Sequence, residues 1–132
     1  AAVRLKLNPL ACNVAGKRIV LVDDSIVRGT TSAKIIRSLK HAGAKEVHLR
    51  ISSPPFRHSC HFGTDIDSEE NLIANHLSIE EIAEQIGADS LGFISIEGLK
   101  AACAGCNLQF CTGCFSGLYP IDIGRHTKSQ FE

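Results

Sequence analysis

The stretch from Ile19 to Ser32 (Ile-Val-Leu-Val-Asp-Asp-Ser-Ile-Val-Arg-Gly-Thr-Thr-Ser) restricts the fold of this chain more than any other feature. A short apolar, β-branched run over Arg18–Val22 stops abruptly at Asp23 and Asp24, as a buried parallel strand does. Gly29, Thr30, Thr31 and Ser32 then open a helical pattern whose apolar face is Ala33, Ile36 and Leu39, with Ile35 beside it. The pattern ends at His41-Ala42-Gly43, where Gly43 suits a C-terminal cap. Two carboxylates at the carboxyl edge of a sheet, followed at once by a glycine-opened helix, set acceptors for a diol or Mg2+ beside donors for a phosphate. A phosphorylated sugar asks for that combination. An acidic pair before Gly-Thr also serves as a plain turn and helix cap, which is the commoner meaning of the dipeptide alone. A phospho-accepting receiver domain is excluded, because the next strand ends in Arg50-Ile51-Ser52-Ser53 without an acceptor Asp.

Downstream, Glu46–Ile51 alternates as a second strand and completes a βαβ unit. Pro54-Pro55 marks a loop over 52–62, and 68–76 reads as a short helix. Ser78-Ile79-Glu80-Glu81 matches a capping box for a helix running to about Gly87. Leu91–Ile96 is a third apolar strand, and 97–102 a further helical turn or two. The order β-α-β-α-α-β predicts an α/β fold, an open parallel sheet of which this chain supplies part. From Cys103 the composition turns to Cys, Gly and polar residues, a tail without a core of its own. Two units follow: 1–100, carrying the phosphate loop, and 101–132, the cysteine-rich tail.

The chain has 132 residues, 44% hydrophobic and 21% charged, with formal net charge +0, which describes a globular domain and gives no electrostatic reason for nucleic acid or anionic membrane as partner. No apolar run reaches membrane-spanning length and no secretory leader is visible, so a cytoplasmic protein is expected. Without a leader, the six cysteines are expected to bind metal or stay reduced rather than form disulfides. The chain starts Ala1-Ala2-Val3 and has no Met, from which truncation is expected.

The full stretch Ile19–Ser32 resembles the PRPP (phosphoribosyl pyrophosphate) loop of type I phosphoribosyltransferases, and its Ser25–Ser32 variant resembles amidophosphoribosyltransferase. Val3–Pro9, Pro54–Ile66 and Cys111–Pro120 are similar to that family in the same order. The resemblance implies the C-terminal portion of a type I phosphoribosyltransferase domain. It implies that Asp23 and Asp24 hold the ribose hydroxyls and Mg2+, and that Ser25, Val27, Arg28, Gly29, Thr30 and Thr31 bind PRPP. Arg4 and Lys6 are either contacts to a pyrophosphate or a feedback nucleotide, or solvated surface charges. The activity implied is transfer of ammonia from glutamine to PRPP at the first step of purine synthesis. The glutaminase cysteine lies outside this chain, which is expected to be inactive alone. Purine nucleotides as feedback inhibitors and a homo-oligomer of the full-length protein are implied as well.

The resemblance further assigns Cys60, Cys111 and Cys114 as three ligands of a [4Fe–4S] cluster, the fourth lying upstream; such clusters take four thiolates. Cys103-Ala104-Gly105-Cys106 departs from the family pattern. Cys103, Cys106, Cys111 and Cys114 alone would compose a four-cysteine zinc site, although their four-residue spacer is short for a zinc ribbon. Cys12 reads as structural or incidental, and His58 and His61 as loop residues rather than ligands. A non-catalytic PRPP-binding regulator and a zinc interaction module remain as alternatives to the enzyme.

Overall fold

The computed structural model describes residues 9–66, 68–105 and 109–123. A short helix α1 (Ala11–Val14) precedes strand β1 (Arg18–Asp23), helix α2 (Thr30–His41) and strand β2 (Glu46–Ile51). Two 3-10 turns (Glu69–Asn71 and Ile73–Asn75) lead to α3 (Ile79–Ile86), β3 (Ser90–Phe93), α4 (Ile96–Ala102) and the single turn α5 (Gly113–Ser116). The three strands form one parallel sheet in the order β1-β2-β3, with Asp23 opposite Ile51 and Ile51 opposite Phe93. This is the expected open α/β sheet, and it brings all three carboxyl ends to one edge.

Alternation decides the faces. Val47, Leu49 and Ile51 of β2 are buried, and Ile36 of α2 with Ile82 and Ile86 of α3 close over them. Ala33 and Leu39 pack against this core as the helical pattern predicts, whereas Ile35 is not among its members. The opposite face carries Arg18, Glu46, His48 and Arg50. There the Arg18 guanidinium donates to Glu46 at 2.6 Å, and His48 lies 3.0 Å from the same carboxylate and 2.9 Å from the Ser90 hydroxyl. Val20 and Val22 of β1 share that face and stand exposed.

Two readings need correction. The short helix expected at 68–76 is a pair of 3-10 turns split at Leu72, whose backbone is extended (φ -78, ψ 111). Leu72 is fully buried, and the Asn75 amide donates to the carbonyls of Arg57 and Glu69, so tertiary packing and side-chain bonds displace the helix ladder. The third strand ends at Phe93 rather than Ile96, because Ser95 caps α4 by accepting the Gly98 N–H at 2.9 Å. The capping box of α3 is present in full: Ser78 accepts from the Glu81 N–H, and Glu81 accepts from the Ser78 N–H.

Asp89, between α3 and β3, ties the layers. Its carboxylate accepts the Val47 N–H at 2.7 Å and lies 3.2 Å from Lys40 Nζ. That backbone N–H above all, with Lys40 assisting, holds the carboxyl below its ordinary value of 3.8. A carboxyl depressed in the folded state stabilises above its unfolded pKa, and that contribution disappears as pH falls through the folded value. Asp89→Asn should therefore flatten the acid limb of the melting temperature as pH falls below the ordinary carboxyl value of 3.8 and through the lower folded one. An unchanged acid limb in the variant would show that Asp89 takes no part in acid unfolding.

Candidate phosphate and cysteine sites

β1 delivers Asp23 and Asp24 to the carboxyl edge of the sheet, and the chain turns there through Ser25–Arg28 into α2. The turn is locally knitted: Asp23 Oδ1 accepts the Asp24 N–H at 3.0 Å, and Asp24 Oδ1 accepts the Ser25 hydroxyl at 2.8 Å. Gly29 caps α2 in the left-handed region (φ 75), and no side chain caps the helix. A Cβ at Gly29 would meet Ile86 at 3.1 Å and Ile73 at 3.2 Å, so both conformation and space require glycine. Thr30 and Thr31 are exposed, and Ser32 turns inward and is buried. The uncapped first turn of a twelve-residue helix thus lies at the end of a loop that begins with two carboxylates. Such a helix start binds anions through its free N–H groups and dipole. The expected phosphate-site residues Asp23 to Thr31 therefore lie on one continuous strand–loop–helix junction. The expected contacts Arg4 and Lys6 lie outside the described residues.

The loop after β2 and the tail form a second, smaller core of Phe56, Ile66 and Leu72, against which Val27, Cys60, Cys114 and Phe115 pack. The backbone N–H groups of Arg57 and His58 both donate to the Cys114 carbonyl at 3.0 Å. The Tyr119 hydroxyl donates to the Ser59 carbonyl at 2.6 Å, and Phe56 and Phe115 stack with centroids 5.0 Å apart. Arg57 reaches the Ala74 carbonyl at 2.7 Å. Gly113 lies directly beneath the Tyr119 ring. These bonds join Cys60 to Cys111 and Cys114, which are far from it in sequence.

The sulfurs themselves receive backbone donors: the Phe62 N–H at 3.5 Å from Cys60 Sγ and the Gly113 N–H at 3.4 Å from Cys111 Sγ. Burial, then the neighbouring Cys60 and Cys111, push the Cys114 thiol up. Cys12, Cys60, Cys103, Cys111 and Cys114 form no disulfide, and Cys106 lies outside the described residues. Among the described residues no three His, Cys, Asp or Glu side chains converge on one point as a single metal ion would need. Cys12 is exposed on α1 and so has no structural part in the core. His58 pairs with Glu69 at 2.9 Å, and His61 meets Tyr119 edge-on at 5.1 Å. Sequence reasoning missed Phe56, Phe115 and Tyr119, whose only local signal was aromatic residues in otherwise polar loops, and Ser59, whose backbone carbonyl gives no sequence signal.

No family model matches the chain. It is 57% identical over 134 residues to the amidophosphoribosyltransferase of Synechocystis sp., an alignment covering 98% of this chain and 27% of that protein. To the Bacillus subtilis amidophosphoribosyltransferase it is 50% identical over 129 residues, 95% of this chain and 27% of the relative. The solved glutamine PRPP amidotransferase from B. subtilis, complexed with ADP and GMP, superposes with a TM-score of 0.80 at 48% identity, covering 91% of this chain and 27% of that one. The chain thus spans about a quarter of the length of the relatives it matches. No helix among the described residues is long and apolar enough to cross a membrane.

Proposed function

We propose a function from one premise: this chain belongs to the amidophosphoribosyltransferase family. In this reading it carries the PRPP-binding part of an enzyme that transfers ammonia from glutamine to PRPP, giving 5-phosphoribosylamine, glutamate and pyrophosphate. The observation that carries the reading is the junction itself, two carboxylates at a strand end leading through Gly29 into the uncapped start of α2. Asp23 and Asp24 hold the ribose hydroxyls and Mg2+, Val27, Arg28, Gly29, Thr30 and Thr31 receive the 5′-phosphate, and Ser25 also binds PRPP. Two carboxylates with open surroundings suit Mg2+, which keeps water and substrate phosphate in its shell. The ion, when bound, neutralises charge on the departing pyrophosphate. Loss of pyrophosphate leaves an oxocarbenium-like ribose, and the fixed carboxylate pair stabilises that positive charge. The loop's further contribution is positioning, holding the anomeric carbon in place by its phosphate end.

The thiols suit a cluster better than a single ion. A [4Fe–4S] cluster sits between its thiolates, so its ligands need not converge on one point, and N–H donors to sulfur tune such centres. Cys60, Cys111 and Cys114 would hold three of its irons, with the fourth thiolate outside this chain. Feedback by purine nucleotides, a homo-oligomeric full-length protein and a cytoplasmic location belong to the same reading.

The test is pyrophosphate release by the full-length protein with PRPP and glutamine together, each omitted in turn. Release that needs both supports the transferase. PRPP binding without turnover would make the protein a regulator instead. Anaerobic protein should hold about four irons and four sulfides per chain. Zinc that survives replacement of Cys60 but not of Cys103 would replace the cluster by a local zinc site built from the four tail cysteines.

A further inference from the structure

The phosphate loop is anchored in two separate cores. Ile26 is buried in the main core with β2, α2 and α3, whereas its neighbour Val27 packs against the smaller core of Phe56, Ile66 and Leu72. The Val27 carbonyl accepts the Ile73 N–H at 2.9 Å, from the residue next to fully buried Leu72. The smaller core also receives Phe115 from the tail, stacked on Phe56 at 5.0 Å. One side of the loop is therefore fixed by sheet and helix packing. The other side depends on an aromatic pair whose second ring comes from the far end of the chain.

We infer that Phe115 is a positioning residue for the phosphate loop, acting through the Phe56–Leu72 core and Val27 rather than by touching substrate. The inference rests on the reading of Asp23–Thr31 as the phosphate site. Removing the Phe115 ring opens a void beside Phe56, and a close-packed cluster relaxes into such a void only in part. Val27 is the loop residue packed against that cluster, so it takes up the relaxation, and its carbonyl bond to Ile73, a residue of the main core, loosens with it. The loop would then sample positions in which its N–H groups no longer converge on a phosphate.

The experiment uses the full-length protein with ribose 5-phosphate as probe, measured by calorimetry, together with backbone amide exchange. Phe115→Ala should weaken probe binding about fivefold or more, and Phe115→Leu should recover most of the loss. In a Val27→Ala background the same Phe115→Ala change should add less than about twofold, because the path is already cut. Exchange at the Ile73 amide should accelerate in Phe115→Ala, while the Ile82 amide, bonded to the Ser78 carbonyl, should not change. Equal weakening in both backgrounds, or unchanged binding by folded Phe115→Ala, overturns the inference. Should Phe115→Ala fail to fold, Phe115→Val removes the ring while leaving a smaller void, and unchanged Ile73 exchange in that variant overturns it equally. A wild-type protein that does not bind ribose 5-phosphate sinks the functional reading instead, since the exchange result needs no ligand.

Discussion

Asp24→Asn should lower PRPP- and glutamine-dependent pyrophosphate release by about 10²–10³-fold in kcat/KM while leaving the melting temperature nearly unchanged. The amide keeps the size of the carboxylate and can still accept the Ser25 hydroxyl now 2.8 Å from Asp24 Oδ1. Only the charge is lost, and with it, in the proposed role, the attraction for Mg2+ and for positive charge developing on the ribose. Asp24 is exposed, so the substitution opens no cavity and strands no buried partner. Asp24→Glu should restore part of the rate, since charge returns in a displaced position. Transfer that persists within a few-fold in Asp24→Asn would remove Asp24 from the ribose-and-metal role. Asp23 would then have to carry it alone.

The second large effect is expected at Gly113. A methyl group there would overlap the Tyr119 ring, which is held by its hydroxyl bond to the Ser59 carbonyl. Overpacking of this kind costs about 1–3 kcal/mol. Displacing the ring also breaks the Ser59 bond, worth about 0.5–1.5 kcal/mol. Both costs fall on the same small core, so Gly113→Ala should detach the tail from the 54–62 loop. Iron content, or in metal-free protein the rate at which Cys60 and Cys114 are alkylated, reads this directly. Tyr119→Phe, which loses only the hydrogen bond, should be much milder. Normal metal content and slow alkylation in Gly113→Ala would mean that the tail does not depend on the Tyr119 latch.

The legibility of these features in the sequence followed their range. The β1–loop–α2 junction was readable because its signals are local: β-branched residues up to Asp23, a glycine where φ is positive, then a 3.6-residue period through Ile36 and Leu39. The α3 cap was readable for the same reason. Residues 68–76 misled because Glu-Glu-Asn-Leu-Ile-Ala has ordinary helical composition, while the burial of Leu72 against Phe56 and the Asn75 bond to the Arg57 carbonyl are set by the preceding loop. α1 and α5, four residues each, are too short to display a period. The Cys-x-x-Cys spacing was visible, but its union with Cys60 depends on Arg57, Phe56 and Tyr119 bonding across the chain, and only the family resemblance hinted at it. No periodicity encodes such a contact.

One face of the sheet is closed by α2 and α3, and the other leaves Val20 and Val22 at 64% and 68% exposure. Parallel sheets in α/β proteins are normally covered on both faces. Any element that covers β1 would therefore add to the free energy of this unit to a degree set by its occupancy. A cover that binds the folded strands and not the unfolded chain adds RT ln(1 + [cover]/Kd), about 2.7 kcal/mol at a hundredfold excess over Kd. When the cover is tethered in the same polypeptide, its effective concentration replaces bulk concentration, and the increment no longer falls on dilution. Melting temperatures of this segment are therefore comparable only when measured at the same degree of coverage.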